Sequence, residues 1–469
     1  MVFSSFVFLL VFLPVVLGIY YLLPARFRNL VLLVASLIFY MWGEPIYVLL
    51  MLFSTVFNYG NGRIIAGCKR KGQIHRAKAF LVADVCGNLG ILLFFKYGDF
   101  IIQNMNSISG AGVELLHLTL PLGISFYTFQ TMSYTIDVYR GCVQEQKIFI
   151  RFATYVTMFP QLIAGPVVRY EMVEKDLSHR KYSVEEFSKG AFLFTIGLAK
   201  KVLLANQLGI VWENIRIGEN VSVVLAWMGA VAFSLQIYFD FSGYSDMAVG
   251  LGQMLGFHFP KNFDFPYMSK SITEFWRRWH ITLGSWFRDY VYIPMGGNRK
   301  GLPRQILNLL VVWLLTGFWH GAGWNFAAWG LYYAVLLILE KLFLGKALQK
   351  IPHWMARCYS LVLIAVGWMI FEWTDFGGLG LYLQAMFGMG HSFVDAQALF
   401  FLRNYGVLLL VAILCSINWK EVGEYVAEWH VPSGKVQQIL QTIVMAVLFL
   451  LSVSFLAGDA YNPFMYFRF

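Results

Sequence analysis

The sequence predicts an all-α polytopic membrane protein, and three observations carry that reading. Of 469 residues, 58% are hydrophobic and 13% charged, against about 25% charged in a soluble domain. Apolar runs of about 17 to 25 residues recur along the chain, each long enough to cross roughly 30 Å of hydrocarbon. Basic and acidic loops alternate between those runs, as they do when one set of loops faces the cytoplasm.

In chain order the expected spans begin with Val2–Leu23, closed by Pro24, and Asn29–Trp42. Past a Gly-Glu-Pro turn come Ile46–Tyr59, Ala79–Phe95, Leu115–Tyr139, Phe152–Val168, Phe187–Leu204 and Val221–Leu255. Ile306–His320, Phe326–Phe343, Leu361–Trp373, Tyr405–Ile417 and Ile439–Leu456 complete a set of roughly a dozen, some of them re-entrant or interfacial. The first run lacks a basic leader and a cleavage site, so it reads as a retained span. No tandem repeat or soluble-domain linker interrupts the chain, which reads as one membrane domain over residues 1–469.

Arg26, Arg28 and the basic loop Arg63–Lys78 alternate with acidic turns at Glu44, Asp99 and Glu114, which places the N-terminus outside. Lys261–Arg304 is basic as well and reads as cytoplasmic. The formal net charge of +10 therefore reads as positive-inside loops, not as a nucleic-acid surface. Five cysteines, Cys68, Cys86, Cys142, Cys358 and Cys415, have no metal-ligand or disulfide spacing and read as reduced, mostly buried thiols.

Chemistry concentrates between Lys270 and Trp324. Ser271–Tyr290 reads as one in-plane amphipathic helix, because Ile272, Phe275, Trp276, Trp279, Leu283, Trp286, Phe287 and Tyr290 recur at steps of three and four. Arg277 and Arg278 fall on its other side, and His280 lies on the flank, about 80° from the stripe centre. His320 follows Trp319 at the end of a hydrophobic run, about 24 Å along the helix from Arg304. Ionisable side chains in spans face a cavity or a partner, so His320 reads as a general base, with hydrogen-bonded packing as the alternative. The neighbouring Gly321 and Gly323 allow a close approach of backbone or ligand, and Asn325 follows them as a candidate site residue. His280 would orient or polarise a second substrate, or else be a solvated interfacial histidine.

Asp240, Ser242, Tyr244 and Asp246 interrupt another apolar helix. They line a substrate path, hold a basic residue of the amphipathic helix, or lock helix packing. Gln130, in PLGISFYTFQTMSYTIDVYR, and Gln161, in FPQLIAGPVVRY, sit in stretches too polar or too broken for plain lipid anchors and suggest a funnel. No GxSxG elbow, HExxH helix, P-loop or dinucleotide fingerprint is present. A proton-coupled transporter using Asp240, Asp246 and His320 is the rival from another class, but no inverted repeat of broken helices supports it. A docking scaffold would leave the clustered histidines and carboxylates without a purpose.

These same stretches, with FDFSGYSDMAVGLG, NFDFPYMSKSITEFWRRWHITLGSWFRDYVYIPMGGNRKG and TGFWHGAGWNFAAWG, resemble the membrane-bound O-acyltransferases over about residues 121–330. IPMGGNR is most similar to the bacterial branch of alginate O-acetylation, with teichoic-acid D-alanylation as a sister branch. The resemblance implies a ring of about 11 to 13 tilted spanning, re-entrant and interfacial helices around a tunnel. It implies His320 as the catalytic histidine and His280 as the second, with Trp276, Trp279, Trp319, Arg277 and Arg278 near the substrates. An acyl thioester, acetyl-coenzyme A or an acyl carrier, would be the cytoplasmic donor, with no tightly bound cofactor or metal. The setting would be the bacterial inner membrane and its lipids, with a separate extracytoplasmic SGNH-type partner finishing transfer to an exopolysaccharide.

Overall fold

Helices dominate because the apolar runs have no water to satisfy their backbone groups and must do so internally. The computed structural model describes residues 1–218, 221–419, 435–458 and 465, and all regular structure among them is helical. Seven helices in the described chain are long and apolar enough to cross a membrane: Ile74–Ser109, Val184–Arg216, Val223–Met254, Leu302–His320, Trp324–Leu348, His353–Glu372 and Ala396–Cys415. Shorter apolar helices cover Val7–Leu22 and Thr442–Gly458. The chain is a multi-pass membrane protein. It divides into two compact units, Met1–Phe194 with Tyr244–Pro260, and Thr195–Gly243 with Lys261–Phe469.

The first unit opens with a π-helical turn, Val7–Phe12, running into α1 (Leu13–Leu22), then α2 (Arg28–Met41), α3 (Tyr47–Arg70) and α4 (Ile74–Ser109). The expected Leu115–Tyr139 span becomes helical only at α5 (Ile124–Arg140), because Gly123 adopts φ 74° at its entry. A side chain on Gly123 would also meet the Leu162 carbonyl oxygen at 2.6 Å. Phe152–Val168 breaks as its prolines foretell, into α6 (Phe149–Thr157) and the single turn α7 (Phe159–Leu162), and α8 (Tyr170–Ser178) follows.

The polarity of α5 has a local explanation. Thr135 Oγ1 donates to Asp84 Oδ2 at 2.6 Å, and Asn61 Nδ2 donates to Asp84 Oδ1 at 2.8 Å. Asn58 and Asn88 exchange side-chain amide hydrogen bonds at 3.0 and 2.9 Å. Buried polar groups at membrane depth need such partners, and here they tie α3, α4 and α5 together.

The second unit takes the end of α9 (Val184–Ala199), a π-helical turn at Lys200–Ala205, α10 (Asn206–Arg216) and the first part of α11 (Val223–Met254). It continues with α12 (Ile272–Arg278), α13 (Ile281–Phe287), α14 (Leu302–His320) and α15 (Trp324–Leu339). A π-helical turn at Glu340–Leu344 leads to α16 (Gly345–Leu348), then α17 (His353–Glu372), α18 (Phe376–Met386), α19 (Ala396–Cys415) and α20 (Lys435–Gly458).

Ser271–Tyr290 is not one in-plane helix. It is two seven-residue helices, α12 and α13, broken where Trp279 turns extended and His280 adopts φ 44°. Its apolar stripe faces protein, since Ile272, Phe275, Trp279, Leu283, Trp286 and Phe287 are all buried. The thiols also depart from expectation. Cys68 is half-buried and the other four are exposed, because in a bilayer protein an apolar side chain gains as much from lipid as from a core.

Candidate active site

α12 is held in place at its N-terminus. Ser271 Oγ accepts the Glu274 N–H at 3.0 Å, and Glu274 Oε2 accepts the Lys270 N–H at 2.9 Å, a capping-box arrangement. From the turn after α15, the buried Glu340 carboxylate accepts the Ile272 N–H at 2.7 Å, the Thr273 N–H at 2.8 Å and the Thr273 hydroxyl at 2.6 Å. A carboxylate there suits the partial positive charge of a helix start. Trp276, one turn further along, packs against Trp313, Trp329 and Tyr333 with ring centroids 4.6, 5.4 and 4.8 Å away.

α14 forms the opposite wall, and α15 packs behind it through two glycines. A Cβ on Gly317 would lie 2.3 Å from the Phe326 carbonyl oxygen, and one on Gly330 would lie 2.4 Å from that of Trp313. Past the end of α14, a Cβ on Gly321 would overlap the Phe326 ring. Small residues at those positions let two backbones pack where lipid supplies no hydrophobic drive.

Between these walls is a cavity of about 520 Å³, lined by residues of α12, α13 and α14 with the connecting turns. Both histidines line it, as do Trp276, Trp279 and Arg277. Arg277 and Arg288 are exposed, Arg288 paired with Asp289 at 2.7 Å, whereas His280 and His320 are 2% and 7% exposed, so the guanidinium groups lie at the opening and the imidazoles on the floor. Trp319 packs between the floor residues, its ring 5.8 Å from His280 and 5.0 Å from His320. Trp329 and Phe371 close on His320 from behind at 5.1 and 5.4 Å.

The break at His280 is secured by its surroundings. The Ile281 N–H donates to the Asn262 carbonyl at 2.9 Å, and the Asp264 N–H to the Arg278 carbonyl at 2.9 Å. Phe241 meets the imidazole edge-on at 4.7 Å, and Asn262 Oδ1 lies 3.1 Å from its Nδ1. Nε2 is buried and has no hydrogen-bond partner among the described residues, and the same holds for the indole N–H of Trp276. Such atoms beside a cavity are where a ligand would bind. Burial in this segment, outside the spanning helices, pushes the His280 imidazole down to about 3, so it is neutral near pH 7.

Other residues singled out from the sequence lie elsewhere. Arg278 pairs with Glu274 at 2.9 Å and does not line the cavity. Asn325 donates to the Phe371 carbonyl at 2.7 Å and ties α15 to α17. Asp240 forms a buried ion pair with Lys201 at 2.5 Å and accepts the Met465 N–H at 3.0 Å. The basic residue it holds is thus Lys201 and not one of Ser271–Tyr290, and the helices pack closely there at Gly243, where a Cβ would meet the Gly197 carbonyl at 2.7 Å. Ser242 is buried near the same place in the chain. Tyr244 and Asp246 belong to the first unit, where Tyr244 stacks on Phe3 at 4.6 Å. Gln130 and Gln161 are fully buried in that unit, and Gln161 Nε2 donates to the Tyr155 carbonyl at 2.6 Å. Asn262, Thr316 and Trp313 escaped sequence reading, since an asparagine or threonine in an apolar frame carries no spacing signal.

The family model described as membrane-bound O-acyltransferase matches residues 142–374, which contain the whole cavity. The probable alginate O-acetylase of Azotobacter vinelandii is 38% identical over the full length of both chains. The peptidoglycan O-acetyltransferase of Helicobacter pylori is 35% identical over 83% of this chain and 80% of its own. The teichoic acid D-alanyltransferase of Bacillus subtilis is 30% identical over 47% of this chain and 59% of its own. The chain belongs to the membrane-bound O-acyltransferase family and is an O-acyltransferase.

Proposed function

We propose that the protein moves an acetyl group from a cytoplasmic thioester towards O-acetylation of a bacterial cell-surface polysaccharide, alginate being the first candidate. The observation that carries this reading is one cavity with two buried imidazoles on its floor and two exposed arginines, Arg277 and Arg288, at its opening. Phosphate groups on coenzyme A or on a carrier's prosthetic arm suit that basic opening. His320 removes the proton from the acceptor hydroxyl as its oxygen attacks the thioester carbonyl. The C–S bond then breaks, the ester forms, and the thiolate takes up the proton, so no other reactant is consumed. The full-length similarity to a probable alginate O-acetylase supports the polysaccharide, and an inner-membrane location with an SGNH-type partner outside goes with it.

The test offers isotope-labelled acetyl-coenzyme A to oriented proteoliposomes, from one face and then the other, with alginate oligosaccharide and candidate partner present. Label on the oligosaccharide, from one face only, supports the reading. Label crossing as free acetate, with none on a hydroxyl, overturns it in favour of a transporter.

A further inference from the structure

We propose that Asn262 is a positioning residue that fixes the tautomer of His280, so that His280 meets substrate as a hydrogen-bond acceptor. The backbone N–H of Thr282 can only donate, and it points at Asn262 Oδ1 from 3.3 Å. The atom facing it must therefore be the amide oxygen, not the amide nitrogen. The Thr282 hydroxyl donates to the same oxygen at 2.8 Å.

An amide oxygen cannot donate, so His280 Nδ1, 3.1 Å away, must carry the ring proton. Nε2 is then bare, and it is the ring nitrogen with no partner among the described residues. The ring is enclosed by Phe241, edge-on at 4.7 Å, and by Phe263 and Trp319 at 6.4 and 5.8 Å. The Asn262 carbonyl also holds the Ile281 N–H, so a single residue fixes both the backbone break and the imidazole. Such a distribution of roles, one group setting the tautomer of another, is how imidazoles are made ready for a given hydrogen bond.

The consequence concerns chemistry. A bare Nε2 cannot polarise a thioester carbonyl, which needs a donor. It can accept from an O–H or N–H that the substrate presents, such as an amide of the thioester arm. His280 thus orients a substrate by acceptance, while His320 keeps the role of base. This inference rests on the acyl-transfer reading for its consequence, but not for the tautomer itself.

The experiment is solid-state nitrogen NMR on the full-length protein in lipid, histidines labelled with ¹⁵N, with His280→Gln used to assign the resonance. The expected result is a proton on Nδ1 and a bare Nε2 for His280. In Asn262→Leu the signal shifts to the other tautomer or a mixture, and acyl transfer falls on the order of 10²-fold. Asn262→Asp, which keeps an acceptor oxygen, keeps the Nδ1 proton and restores most of the activity. A native spectrum with the proton on Nε2 overturns the proposal, as does an unchanged tautomer in Asn262→Leu. If the native spectrum agrees but no variant or wild type transfers acetyl, the acyl-transfer reading fails and the positioning role stands.

Discussion

The indole of Trp319 meets the imidazole of His320 edge-on, ring centroids 5.0 Å apart, and it also meets that of His280 edge-on at 5.8 Å. One aromatic side chain therefore spaces the two histidines on the cavity floor. Trp319→Phe keeps the edge contact and should cost little. Trp319→Ala removes the spacer and should lower acyl transfer at least tenfold, because displacement of about 1 Å is felt strongly in such sites. Turnover by purified protein in lipid measures it, and full activity in Trp319→Ala would show that the spacing is irrelevant.

Glu340 supports the site from a distance. Its carboxylate accepts three hydrogen bonds from the start of α12, and truncation leaves those donors buried without partners. Each such loss costs about 1–3 kcal/mol. Glu340→Ala should lower the melting temperature in detergent and reduce activity together. A melting curve that coincides with wild type would remove α12 capping from the account.

The glycine contact between α14 and α15 predicts a sharp contrast. Gly330→Ala places a methyl group where the Trp313 carbonyl already is, so the cavity wall must shift. Gly18→Ala, in α1, meets nothing within 4 Å and serves as the control. Thermal stability should fall in the first and hold or rise slightly in the second. Equal curves would mean the helices are free to separate.

Lys201 and Asp240 distinguish a lock from a proton relay. Removing one partner strands a buried charge, at about 3–5 kcal/mol, whereas replacing both with apolar residues of similar volume restores most of the stability. Lys201→Met with Asp240→Leu should fold and keep transfer activity per folded molecule. Loss of turnover in a well-folded double variant would return Asp240 to the reaction path.

Acid sensitivity follows from His280. Its ring titrates near 6.5 when free and near 3 when folded, so the unfolded chain binds more protons between those values. Stability from this group is complete above pH 6.5 and declines as pH falls towards 3. Wild-type melting temperature should drop more steeply over that range than that of His280→Gln. Parallel curves would contradict the burial of the imidazole.

Much of the molecule could be read from its residues. The spans followed from apolar length, and the break at Met158, just before Phe159-Pro160, followed from proline chemistry. His320 drew attention because ionisable groups are costly at depth and His280 because it lies on the flank of the apolar stripe, and both line the cavity. The break between α12 and α13 was hidden, because Trp279-His280 contains no helix breaker. Asn262 and packing against Phe241 impose it, and those contacts are set by tertiary structure. The partner of Asp240 was hidden for a related reason. Lys201, its partner, lies thirty-nine positions earlier with no periodic link to it. The stripe of tryptophans looked interfacial because a helical wheel shows one face and cannot say whether lipid or protein covers it.

The central claim is that acyl transfer takes place at the cavity floor, with the His320 imidazole as base. Its most direct test is single-turnover transfer of labelled acetyl by His320→Ala in lipid, beside wild type of equal amount and melting temperature. The account predicts a loss on the order of 10²–10⁴-fold with the thioester donor still bound. Wild-type transfer by that variant would contradict it.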